Sequence, residues 1–291
     1  MNEYEMSFQS ANTVSYSKRT AVYVVEPDEI NAQTGIMHFA HGWGGNRYQY
    51  LEMQKEFADH YNLVCIATEY RQSGYDFDAI TGTGACVPYD ASHFQVMDCL
   101  NALRKTLALY PDANKQRLIS FGGSQGGHIA LLMSIFCPNT FAFAVSGSGI
   151  SHLDDAIAKW AGRDFCADEL ATRDIVRMAA RIKSPVALVH GTADDVVPDA
   201  HTHLLEKALR EHNKNLRVKY VEGAGHSLAP VTDRKKMTVE LADDWLKTLV
   251  NGHTNDFDLQ SKVEIPCVTR KLVIDWSKEM HDSTLIRWMD K

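Results

Sequence analysis

The sequence predicts an α/β fold: a mainly parallel central sheet with helices on both faces. Three observations carry that reading. Short, nearly continuous apolar runs recur along the chain, amphipathic helical stretches separate them, and a glycine-rich turn joins one run directly to a helix. The 291 residues allow one large domain with a sizeable core, and 45% apolar and 23% charged residues are ordinary globular proportions.

The elements follow in order. "TAVYVVEP" (20–27) is β-branched and aromatic, and Pro27 ends it. "GIMHFAHG" (35–42) and "NLVCIATEY" (62–70) are apolar on both alternations, as strands buried on both faces are. Between them, residues 48–60 have helical spacing, with Tyr50, Met53 and Phe57 on one side. Residues 73–90, rich in Gly, Asp and Thr, read as a long loop. In the helix predicted over 90–110, Val96, Leu100, Leu103 and Leu107 form a stripe, and Pro111 follows its end. Strand "RLISF", helix "GGHIALLMSIF", strand "FAFAVSGSG", strand "PVALVHG", helix 200–212, strand "LRVKYVEG" and helix 234–250 complete the alternation. Such an order implies right-handed crossovers, with ligands at the carboxyl ends of the strands. Two stretches depart from it. Residues 151–183 insert a charged helical cap between two strands, and residues 251–291 extend beyond the last expected helix. The reading is therefore one domain, 1–250, with a cap and a C-terminal extension.

Charge and composition exclude several classes of function. The net charge of −7 is spread without a long basic run, which argues against nucleic acid and anionic membrane as partners. No apolar stretch approaches the ~18 residues of a membrane span, and the polar start "MNEYEMSFQS" lacks the apolar core of a signal peptide. The six cysteines are scattered with no CxxC pair, so reduced thiols in the cytoplasm are expected. No phosphate-binding loop or dinucleotide fingerprint occurs, so no cofactor is expected. His201-x-His203 could suggest a metal pair, but residues two apart diverge on a helix; both read as surface residues, and no metal is expected. His128 reads as a packing or hydrogen-bonded residue.

The chemistry concentrates in "SFGGSQGGHIALL". Gly122-Gly123-Ser124-Gln125-Gly126 fits G-x-S-x-G between a strand and a helix, the context of a nucleophile elbow. Gly122 and Gly126 are expected to clear the turn, and Gly123 and Gly127 to let strand and helix approach. A serine hydroxyl needs an imidazole to take its proton, and the imidazole needs a carboxylate to fix its tautomer. Asp194 follows the strand "PVALVHG" and His226 follows "LRVKYVEG", so acid and base arrive in the order Ser, Asp, His, each at a strand's carboxyl end. Asp195, and more distantly Asp154 and Asp155, compete for the acid role. The oxyanion of a tetrahedral intermediate needs backbone N–H donors. Gln125, after the nucleophile, and Trp43, in "HGWGGN", are the candidates.

The chain resembles the α/β-hydrolases, in particular the branch of prolyl-oligopeptidase-type catalytic domains, dienelactone hydrolases and small esterases. "HGWGGN", "GGSQGGHIA", "HGTADDVVP" and "GAGHS" carry the resemblance over about residues 20–250, and His190, Gly191, Asp194, Val197 and Pro198 fill its most specific pattern. It also selects Asp194. Membership of such a fold does not set the substrate. Peptidases of this branch usually carry a large propeller domain, for which the chain has no room, so the expectation is a carboxylesterase acting on small or aromatic acyl esters, a small-molecule substrate. The alternatives are an exopeptidase or an acetyl-ester deacetylase; against the last, Ser227 stands where those enzymes usually have a glutamate. A catalytically silent binding protein is disfavoured because no triad member is missing. In the cap, Trp160 and Phe165 are expected to contact substrate, while Arg163, Arg173 and Arg177 read either as groups that meet an anionic one or as a solvated helix face. In the extension, Leu272, Val273, Ile274 and Trp276 need cover. They are expected to pack on the domain, as an added strand at the sheet edge, or at a homodimer contact.

Overall fold

The computed structural model describes residues 1–9, 19–74, 88–91, 93–212, 215–248 and 254–291. Most of the segment read as a long loop, with Cys86, lies outside them, as does the boundary near residue 250.

Among the described residues, eight strands form the main sheet: β1 (Asn2–Gln9), β2 (Arg19–Glu26), β3 (Gly35–Ala40), β4 (Leu63–Glu69), β5 (Leu118–Gly123), β6 (Phe143–Gly147), β7 (Val186–Gly191) and β8 (Leu216–Val221), in the order β1-β2-β4-β3-β5-β6-β7-β8. The first two pairings, β1 with β2 and β2 with β4, are antiparallel. The remaining five are parallel. Every residue of β3 through β7 is buried, the physical reason these strands read as unbroken apolar runs.

Helices α1 (Leu51–Tyr61) and α7 (Arg234–Lys247) cover one face, burying Phe57, Ala242 and Leu246 against Met37, Phe39 and Val145. Helices α2 (His93–Leu109), α3 (Gln125–Phe136) and α6 (Ala200–His212) contribute Val96, Leu132 and Leu205 to the larger core on the other. From β3 the chain steps through α1 to β4, then returns past β3 to β5. The strand order reverses at the β3/β5 pair, so the crevice beyond those two carboxyl ends is where this topology places a ligand.

Two elements differ from the sequence expectation. The polar N-terminus is strand β1, whose Tyr4, Met6 and Phe8 alternate onto the core. Among its described residues, the C-terminal extension adds no strand to the main sheet. It forms a separate antiparallel sheet of β9 (Lys262–Pro266), β10 (Arg270–Asp275) and β11 (Ile286–Asp290), with β10 in the centre. Leu272, Ile274, Trp276 and Leu285 join the core shared by α2 and α3, and Trp276 Nε1 donates to the Phe136 carbonyl at the end of α3 (3.1 Å).

The cap holds two short helices, α4 (Asp155–Trp160) and α5 (Ala167–Ala171). It is fastened to the C-terminal sheet: Asp168 of α5 accepts from the amides of Val268 (2.7 Å), Thr269 (2.7 Å) and Arg270 (3.2 Å) in the β9–β10 turn, and from the Thr269 hydroxyl. The Thr269 hydroxyl, with the Thr269 and Arg270 amides and the Arg270 guanidinium, holds the Asp168 carboxyl well below its ordinary range.

Candidate active site

Ser124 sits between β5 and α3 at φ 59°, ψ −127°, a left-handed conformation that a side-chain-bearing residue reaches only when its surroundings enforce it. The enforcement is steric. A Cβ at Gly122 would lie 2.1 Å from the Gly126 carbonyl oxygen, and one at Gly126 would lie 2.0 Å from that of Ala40, so neither position admits a side chain. Gly123 has another reason from the one its spacing suggests. Strand and helix do not meet there; the Arg234 guanidinium and the Tyr50 hydroxyl occupy the space its side chain would fill, each 2.6 Å from the Cβ position. The Ser124 amide donates to the Gly147 carbonyl at the end of β6 (2.8 Å).

His226 and Asp194 are brought together. His226 Nδ1–H donates to Asp194 Oδ2 at 2.8 Å, which leaves the other ring nitrogen as a proton acceptor. The competing acids are elsewhere: Asp195 is exposed, and Asp154 caps α4 by accepting from Ala156 and Ile157 amides at 3.0 and 2.8 Å. Asp194 also accepts from the Val196 and Val197 amides (3.0 and 2.9 Å) and from His190 Nε2 (3.1 Å). His190, treated in the sequence as a motif letter, is fully buried. Its Nε2 faces two acceptors, Asp194 Oδ2 and the Val197 carbonyl (2.8 Å), so it carries the proton, and Nδ1 accepts from the Thr202 hydroxyl (2.6 Å). The only sequence signal for this second histidine was its place at the head of the Asp194 pattern.

Burial alone would raise the Asp194 carboxyl. The hydrogen bonds from His190, His226 and the Val197 amide outweigh it and hold the group well below the ordinary range. A depressed folded-state value stabilises the fold fully above the free carboxylate pKa of ~3.9, and that stability is lost as pH falls through the folded-state value. The melting-temperature gap between wild type and Asp194→Asn should therefore shrink as pH falls below about 4. Asp195→Asn should follow the wild-type curve throughout; matching curves for the two variants would sink the assignment.

The loop after β3 lies against the elbow, where a Cβ on Gly42 would sit 3.5 Å from the Ser124 Cβ. The Gly42 amide is taken by Gln49 Oε1 (2.9 Å), so Trp43 presents the next amide of the loop. The Trp43 ring stacks on Tyr89 with centroids 4.3 Å apart, and the Tyr89 hydroxyl donates to Gln125 Oε1 (3.0 Å). Gln125 Nε2 donates in turn to Gln95 Oε1 (2.7 Å). Both candidate oxyanion residues thus belong to one packed and hydrogen-bonded unit.

The cap residues divide. Trp160, 40% exposed, meets Trp43 edge to face at 5.7 Å. Phe165 lies under the Arg163 guanidinium (3.8 Å) and lines an open cleft of about 780 Å³ with Leu153, Lys159 and Leu170. All three cap arginines engage oxygens of the protein itself. Arg173 is buried and spends its donors on the Asp90, Ala91 and Glu169 carbonyls. Arg163 holds the Tyr89 carbonyl (3.0 Å) and Glu169 (2.9 Å), and Arg177 donates to the Pro266 carbonyl of the C-terminal sheet (2.8 Å).

His128 is buried and bonded to the Ile150 carbonyl (2.9 Å), and burial pushes its imidazole down to about 3. His201, expected at the surface, is buried and hydrogen-bonded to Ser151, while His203 is exposed and stacks on Tyr220. Among the described residues no cluster of His, Cys, Asp or Glu is placed to hold a metal ion, and no helix is long and apolar enough to cross a membrane.

Residues 90–253, more than half of the chain, match the sequence model of the prolyl oligopeptidase family. The chain is 27% identical over 165 residues to an uncharacterized peptidase, YtmA, of Bacillus subtilis (strain 168), covering 52% of this chain and 62% of that protein. It is 25% identical over 186 residues to dipeptidyl peptidase family member 6 of Caenorhabditis elegans, covering 57% of this chain and 24% of that protein. The match thus spans less than two thirds of either relative. Among solved structures, an acylaminoacyl peptidase of Pyrococcus horikoshii is similar in fold over 87% of this chain and 43% of its own, with a TM-score of 0.65 at 17% identity. A puromycin-hydrolyzing peptidase of Mycobacterium tuberculosis is similar over 80% of this chain and 37% of its own, with a TM-score of 0.60 at 21% identity.

Proposed function

This chain belongs to the prolyl oligopeptidase family, and on that premise we propose that it is a serine peptidase that cleaves short peptides through an acyl-enzyme. The observation that carries the chemistry is the hydrogen-bonded His226–Asp194 pair presented with the Ser124 elbow at the carboxyl ends of the strands. The carboxylesterase expectation gives way because the relatives and fold neighbours are named peptidases.

The proposed course is as follows. Ser124 Oγ attacks the scissile carbonyl carbon while His226 Nε2 takes its proton, and Asp194 stabilises the imidazolium through Nδ1–H. The carbonyl oxygen becomes an oxyanion facing the Trp43 and Gln125 amides. His226 then returns the proton to the departing amine, leaving an acyl-Ser124 ester. Water, deprotonated by the same nitrogen, releases the acid and restores Ser124. Trp160 and Phe165 are the proposed cap contacts for substrate side chains.

Aminoacyl and dipeptidyl nitroanilides, assayed beside nitrophenyl esters of short and medium acyl chains, test the assignment. Turnover of the amides is expected. Cleavage of the esters with none of the amides would restore the carboxylesterase reading.

A further inference from the structure

Arg234 opens helix α7, eight residues beyond His226, and its side chain turns back over the site. One terminal nitrogen donates to the His226 main-chain carbonyl at 2.7 Å. The rest of the guanidinium lies against the strand ends that hold the nucleophile. Its Nε is 2.6 Å from the Cβ position of Gly123, at the end of β5, and 3.4 Å from that of Gly147, at the end of β6. Gly147 is the residue whose carbonyl receives the Ser124 amide. One side chain thus bonds the backbone of the histidine and packs, through a buried Nε that has no hydrogen-bond partner, over Gly123 just before Ser124 and over Gly147 on the neighbouring strand.

The Nδ1 bond to Asp194 leaves the imidazole free to pivot unless the main chain of its loop is also fixed. Main-chain bonds hold the loop within itself, from the Gly225 amide to the Ala229 carbonyl and from Leu228 to Gly225, and to the turn before Asp194, from the Ala193 amide to the Ala224 carbonyl (2.9 Å), but none of these reaches the elbow. Arg234 makes that tie. A planar guanidinium on a long stem can span the gap; a lysine brings one compact charge and cannot lie flat against the glycines.

We propose that Arg234 is a positioning residue that sets the distance between the His226 loop and the Ser124 turn. The proposal rests on the reading of Ser124 and His226 as nucleophile and base. Misplacing a catalytic group by about an ångström costs on the order of 100-fold in rate.

The test measures kcat, KM, melting temperature and the rate of fluorophosphonate labelling in Arg234→Met and Arg234→Lys. Arg234→Met should lose about 100-fold in both kcat and labelling rate with KM little changed, and Arg234→Lys should lose less. Arg234 lines an open cavity of about 470 Å³ with Tyr50 and Ser227, so free guanidinium at sub-denaturing concentration has access and should restore the Met variant saturably. Full kcat in Arg234→Met would overturn the proposal. So would activity and melting temperature falling together with no response to guanidinium. Ser124→Ala and His226→Ala serve as controls. Labelling that survives in them defeats the reading of the site itself, and the proposal with it. Their silence beside an unimpaired Arg234→Met defeats the Arg234 proposal alone.

Discussion

Ser124→Ala should lower kcat by roughly 10⁴- to 10⁶-fold, the scale on which removing a triad nucleophile acts, while leaving the fold intact. The two halves of that expectation have separate grounds. Alanine keeps the Cβ, so the strain at φ 59° is the same in both proteins. The Ser124 hydroxyl makes no capping bond to α3, and its residue is only half-buried, so its removal leaves no starved partner in the core. What disappears is the atom that would form the acyl bond. Circular dichroism and melting temperature should match wild type, and intact-mass analysis after fluorophosphonate treatment should show one adduct on wild type and none on the variant. An adduct on any other residue would move the nucleophile elsewhere.

The site was legible in the sequence to the extent that its chemistry depends on local backbone. An elbow needs glycines at fixed offsets, and a buried parallel strand must be apolar throughout, so both leave marks within a dozen residues. The difference between the two neighbouring acids was legible too: Asp194 lies in the tight turn after β7, where its carboxylate accepts amides two and three residues ahead, while Asp195 is exposed. Side chains whose partners are distant in sequence were not legible. Arg177 reads as a free cation until β9 is placed beside it, and Arg173 until the Asp90 and Ala91 carbonyls are. Gly123 seemed to serve helix packing because Arg234, more than a hundred residues later, is invisible to any local pattern. Strand β1 could have been found: Tyr4, Met6 and Phe8 alternate with polar residues, the period-two signature of a half-buried strand, but their acidic neighbours masked it.

Truncating the chain near residue 250 should give an aggregating protein, because the C-terminal sheet is part of the core. Leu272, Ile274, Trp276 and Leu285 pack into the cluster that includes Leu132 and Phe136 of α3 and Val96 and Leu100 of α2. Their removal would expose the flank of α3, the helix that follows Ser124. A contiguous apolar patch of that kind is rarely tolerated in solution. Truncation would also strip Asp168 of its amide donors and Arg177 and Arg181 of their carbonyl acceptors, loosening the cap. A single substitution grades the effect. Trp276 is 1% exposed and bonded through Nε1 to the Phe136 carbonyl, so Trp276→Ala opens a large cavity and leaves a buried acceptor unpaired. The expected cost is about 3–5 kcal/mol, a substantial share of the ~5–15 kcal/mol typical of a domain. The full-length variant should therefore still fold, with a melting temperature lower by roughly 10 °C. Scanning calorimetry and sedimentation velocity on both proteins decide the matter. A truncated chain that stays monomeric with an unchanged melting temperature would show that the C-terminal sheet is an appendage, and a Trp276→Ala protein as stable as wild type would remove the tryptophan from the core.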